Sequence, residues 1–119
     1  MLTIEPFHGD SVSIYHQVNN KWEKVFKYPH KIIFAHAITS GVICNIPCFI
    51  FGVRRENMEL VMITYDKVKK SYHSSEIDRG CGSANVMIFE YKNEKIIASC
   101  NHTINEAAIY QIKCEGESK

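Results

Sequence analysis

Three short polar segments hold most of the residues that could do chemistry in this chain: Phe7-His-Gly-Asp10, Arg54-Arg-Glu-Asn57 and Asn101-His-Thr-Ile-Asn105. Arg54 and Arg55 are adjacent planar donors of the kind that fork onto a carboxylate or phosphate. Asp10, Glu56, Asn57, Asn101 and Asn105 are short polar groups suited to hydrogen-bonding hydroxyls. His8, His36 and His102 are candidates for acid–base work or for binding a transition metal with Asp10 or Glu56. No local spacing brings the three histidines together, and no nucleophile elbow, phosphate loop or zinc-protease helix is present. The blander reading is that these are solvated loop tips with an arginine paired to Glu56 or Asp10, worth about 0–1 kcal/mol.

Each polar segment interrupts a β-like pattern. PCFIFGV runs into RREN and resumes as ELVMITY. Short runs rich in Val, Ile, Phe, Tyr and Thr recur along the chain, separated by Gly, Asn, Pro, Ser or Lys. Ten strands are predicted, at 2–5, 11–17, 22–28, 32–39, 48–53, 60–66, 71–77, 85–91, 95–100 and 107–113. Connectors such as Asn19-Asn20, Ser40-Gly41 and Lys92-Asn93 are short enough to make an antiparallel meander. The aromatic residues Trp22, Tyr28, Phe34, Tyr65 and Tyr72 read as packing residues, or as sugar-stacking surfaces if exposed beside the polar segments.

The pattern repeats. IPCFIFGVRRENMELVMITY lies over NEKIIASCNHTINEAAIYQI at an offset of about 47 residues, and the N-terminal segment matches LVMITYDKVKKSYHSSEI at a similar one. About four strands per such period is what a β-propeller blade requires. The fold class expected is therefore all-β, an antiparallel meander of four-stranded propeller-type blades. The boundaries are a partial blade at 1–28, a full blade at 29–78, a partial blade at 79–114 and a disordered tail at 115–119. That is about two and a half blades, too few for this chain alone to close a ring of roughly 4–8. Open blade edges would invite a homo-oligomer or blades from a longer parent chain.

EPFHGDSVSIY, HAITSGVICNIPCFIFGVRRENMELVMITY and SANVMIFEYKNEKIIASCNHTINEAAIY together resemble the FG-GAP/VCBS-type β-propeller repeats. The segment Asn93-Glu-Lys-Ile-Ile-Ala-Ser99 followed by Ala108-Ile-Tyr110 is the nearest copy of the family's strand, polar loop and strand ending in tyrosine. The resemblance implies a ring whose b–c loops share one face, which would set the three polar segments side by side with His36 on an innermost strand. Some members bind carbohydrate or calcium, or act on sugars as in aldos-2-ulose dehydratase-like proteins. The turns matching the family's calcium hairpin, Ser40-Gly-Val-Ile-Cys-Asn45 and Glu90-Tyr-Lys-Asn-Glu94, carry too few carboxylates for calcium. No cofactor is expected.

The function expected is a binding or interaction module recognising a carbohydrate or another polar or anionic ligand at that loop face. Two alternatives stay open. One is a sugar dehydratase or lyase whose histidines act with Arg55 at a tunnel mouth; the other is a structural assembly role.

Bulk composition narrows the field. The 119 residues are 45% hydrophobic and 23% charged, with a formal charge of +1, which fits one ordinary globular domain and argues against a nucleic-acid binder. No apolar run approaches a membrane span. The start, MLTIEP, lacks the regions of a secretory signal, so a cytoplasmic location is expected unless the chain is a piece of a longer one. Cys44, Cys48, Cys81, Cys100 and Cys114 show no metal or redox spacing and read as reduced, partly buried thiols.

Overall fold

A computed structural model describes residues 1–5 and 10–114. His8, with the rest of 6–9, and the expected tail at 115–119 lie outside the described residues.

The chain forms ten strands: β1 (Leu2–Glu5), β2 (Ser11–Val18), β3 (Lys21–Lys27), β4 (Ala35–Ile43), β5 (Ile46–Val53), β6 (Leu60–Asp66), β7 (Ser71–Asp78), β8 (Ser83–Tyr91), β9 (Glu94–Asn101) and β10 (Glu106–Ile112). They fold as three consecutive antiparallel meanders, β1-β2-β3, β4-β5-β6-β7 and β8-β9-β10. No helix among the described residues is long and apolar enough to cross a membrane.

Local chemistry sets the hairpins. Asn19-Asn20, Cys44-Asn45 and Lys92-Asn93 each hold two consecutive residues at φ between 51° and 66°. That is the two-residue turn whose twist matches its flanking strands, and Asn tolerates the left-handed region better than most residues. The Ser40-Gly41 turn expected from the sequence is not there. Both residues lie inside β4, paired with Phe49 and Cys48. Gly41 answers to packing instead, since a Cβ there would sit 3.1 Å from Ile88 Cδ1 of the third sheet. β4 also starts three residues later than expected, because Phe34 sits at φ 65° and breaks the extended run from Ile32.

The inner strands of the middle sheet, β5 and β6, are largely buried, which is why they read as apolar runs. On β5, Phe51 and Val53 join Val12, Ile14, Tyr28 and Ile32 in one core against the first sheet. Alternate residues Cys48 and Ile50 join Val86 and Ile97 in a second core against the third sheet. At about 25 cal/mol per Å2 of apolar surface removed from water, each of these side chains contributes about 1.5–3 kcal/mol.

The expectation of five reduced thiols fails for two of them. Cys44, in the β4–β5 turn, is disulfide-bonded to Cys114, just past β10, with Cα atoms 5.5 Å apart. The bond ties the middle sheet to the third across 70 residues of sequence. In the loop-entropy model, a closure of that length stabilises the fold by about 4 kcal/mol. Sheet packing, not sequence spacing, brings the pair together. Cys48 and Cys81 are free and buried, and Cys100 is free and exposed.

Candidate functional site

The β5–β6 loop, the β3–β4 connector and the 3-10 turn after β9 (His102–Ile104) meet at one corner. The backbone N–H of Arg54 donates to the carbonyl of Phe34 at 2.9 Å, which locks the first two together. The guanidinium carbons of Arg54 and Arg55 lie 5.7 and 4.9 Å from the centre of the Phe34 ring, within range of a cation–π attraction. Phe34 presents its ring this way from a left-handed backbone. Such a conformation costs a non-glycine residue on the order of 1–3 kcal/mol, and residues of this kind cluster at binding sites.

Arg54 reaches the third sheet as well. Its terminal N–H donates to Nδ1 of His102 at 2.8 Å. Arginine has only donors, so Nδ1 must be unprotonated and the neutral His102 ring carries its proton on Nε2. The Nε of Arg54 is buried with no hydrogen-bond partner. Among the described residues neither Arg54 nor Arg55 is ion-paired with a carboxylate; the arginine that is paired is Arg79, whose guanidinium forks onto Glu76 at 2.7 and 2.9 Å. The sequence's bland alternative for the RREN arginines, a pair with Glu56 or Asp10, is therefore not formed.

The other expected site residues divide. Arg55, Glu56 and Asn57 are exposed on the loop tip, and Glu56 has a left-handed backbone. Asn105 is exposed and caps the 3-10 turn, its N–H donating to the carbonyl of His102. Asp10 is exposed just before β2. His36 is half-buried on β4, its Nδ1 3.0 Å from the Ala84 carbonyl and its ring 5.9 Å from that of Phe34. Asn101 does not line the surface. It is fully buried, accepting from Ser99 Oγ at 2.6 Å and donating to Glu106 at 2.9 Å. Among the described residues no three metal-ligating side chains come together.

Of the aromatic residues, Phe34 belongs to the corner, while Tyr28 stacks edge-on against Phe51 at 4.9 Å and Tyr72 against Phe26 and Tyr65. Trp22 is exposed on β3.

What the corner can do chemically is hold negative charge. Two guanidiniums meet an aromatic face, one of them bonded to His102, and no carboxylate among the described residues pairs with them. The sequence left Phe34 open between packing and a surface beside the polar segments, because its placement depends on a backbone conformation that a phenylalanine rarely adopts. Comparison of the chain with protein-family models, curated proteins and solved structures finds no match in any of the three.

Proposed function

We propose that this chain is a propeller-type binding module that takes an anionic, hydroxyl-rich ligand such as a sugar acid at the Arg54–Arg55 corner. The observation that carries the reading is the pair of guanidiniums stacked on Phe34 without a carboxylate partner, one of them with a buried, unbonded Nε. A ligand carboxylate supplies the missing acceptor. Charge-assisted, bidentate hydrogen bonds of this type are the strong ones. The propeller part of the reading is supported by the order of the sheets, three, four and three strands in sequence. It is also supported by the contact of β4 with β8, where Ile88 lies against Gly41.

The test is a titration with glucuronate followed by backbone amide shifts. Shifts are expected at Phe34, Arg54, Arg55 and His102. R55A removes an exposed side chain whose one described contact is with the Phe34 ring, and is expected to weaken binding about tenfold, the worth of one charged hydrogen bond. Unchanged binding in R55A, or shifts confined to other parts of the surface, would sink the reading.

A further inference from the structure

A second polar concavity opens on the other side of the β5–β6 loop. The β3–β4 connector, the end of that loop and strand β7 enclose a cleft of about 310 Å3 lined by Tyr28, His30, Asn57, Glu59, Glu76 and Arg79 among others. Its size is at the lower end for small-ligand pockets.

Glu59 is the anomaly in it. The residue is only 5% exposed, and the chain holds it in place from both sides. Its carbonyl accepts from the Val53 N–H at 2.9 Å, and the neighbouring Met58 carbonyl accepts from Cys81 at 3.0 Å. Yet its carboxylate makes no hydrogen bond or ion pair with any described residue. Arg79, whose charge interacts with that of Glu59, has its fork committed to Glu76. The residue is buried as a whole, but its carboxylate oxygens are not shut away from solvent, so they are open to the cleft as charged acceptors without a protein donor among the described residues. The Tyr28 hydroxyl is likewise without a protein partner, and its pKa is raised first by burial and then by the charge of Glu59.

We propose that this cleft is a binding site for a small neutral polyol, a mono- or disaccharide, with the Glu59 carboxylate as acceptor for ligand hydroxyls. The charges around it decide the ligand class. Glu59 and Glu76 are balanced by Arg79 and Lys31, so a net cation gains little and a net anion meets Glu59. Ser74 and Ser75 add hydroxyls on the β7 side, giving the mixture of donors and acceptors that a sugar satisfies. A carboxylate bridging neighbouring hydroxyls makes charge-assisted bonds in a site partly shielded from water. This site is independent of the arginine corner and takes ligands of different charge.

The experiment is an amide-shift titration with glucose, galactose and mannose at up to tens of millimolar, with methylammonium as a cationic probe. At least one hexose is expected to shift amides within 28–31, 57–59 and 74–79. E59Q, which keeps the shape but removes the charge, is expected to weaken that hexose about tenfold while its Tm stays close to the parent's. Y28F is expected to weaken it by a smaller factor, and R55A to leave it unchanged. The proposal is overturned if no hexose shifts the cleft, or if E59Q binds as the parent does. Shifts at the cleft with methylammonium alone would also overturn it and mark a cation site. Because glucuronate binding and R55A report on the arginine corner, either proposal can fail without the other.

Discussion

Ser83, Ser99, Asn101 and Glu59 are all buried residues, yet the fold treats their polar groups in opposite ways. In the third sheet each of these three side chains has a partner. Ser99 Oγ lies 2.6 Å from Asn101 Oδ1 and 2.8 Å from Ser83 Oγ, and Ser83 Oγ lies 3.1 Å from the Asn85 carbonyl. Asn101 Oδ1 can only accept, so the single Ser99 proton goes there, and Ser83 donates to Ser99 or to Asn85. Asn101 Nδ2 then donates to Glu106. Across the β5–β6 loop, the Glu59 carboxylate and Arg54 Nε have no partner among the described residues. A satisfied network holds a structure in one arrangement. An unsatisfied group weakens the structure and points to something that is not in it. On this difference rest the two ligand sites proposed for the second region.

The largest effect should come from breaking the satisfied network. N101A removes two hydrogen bonds, leaves Ser99 with Ser83 as its remaining partner and opens a cavity, and should destabilise the protein by about 3 kcal/mol. Urea unfolding measures it. A loss under about 1 kcal/mol would mean that water replaces the amide and that the network is no tighter than the cleft.

G52A attacks the same network from outside. A Cβ on Gly52 would stand 2.7 Å from Ser83 Cβ, and the contact is between two packed sheets, where neither side can move far. Overpacking of this kind should cost about 2 kcal/mol. If the unfolding midpoint is unchanged, the contact between the middle and third sheets is looser than the distance implies.

E59Q tests the opposite prediction for the opposite region. Removing a carboxylate that reaches solvent and has no partner among the described residues should change stability by less than about 0.5 kcal/mol, even as it removes the acceptor proposed for sugar hydroxyls. A clear destabilisation would show that the carboxylate holds the loop in place and belongs with the network.

Much of this contrast lies beyond what the sequence could show. Strand alternation, Asn-bearing turns and apolar runs were enough to place all ten strands and to divide them three, four and three, because hydrophobic period and turn chemistry are local. The polar loops at Arg54 and His102 were also legible as a pair, since both interrupt equivalent strands. What escaped depends on sheet-to-sheet packing. Gly41 looked like a turn residue because only the third sheet reveals why it lacks a side chain. Asn101 looked like a loop tip but is the last residue of β9, turned inward. Glu59 looked like the first polar residue of a strand, and nothing in its neighbours signals burial. Cys44 and Cys114 meet only once three sheets are stacked.

The smallest expected effect concerns a cluster between the two extremes. The Tyr110 hydroxyl donates to Asp78 at 2.6 Å, joining β10 to the end of β7 at a partly exposed position, with Cys81 Sγ 3.7 Å from the same hydroxyl. The Asp78 carboxyl is held below its ordinary value, first by that hydrogen bond and then by the Arg79 N–H. A depressed folded-state pKa stabilises the protein above the ordinary aspartate value of about 3.9, and the contribution disappears as the pH falls through the depressed value. In Y110F the first cause is gone and the second remains. Wild type and Y110F should therefore differ most near neutral pH and converge below about pH 4, in urea midpoints measured across that range. A constant gap at every pH would mean that the tyrosine acts by packing alone. In that case its hydrogen bond, although formed, contributes no more to the fold than the unpartnered groups around Glu59.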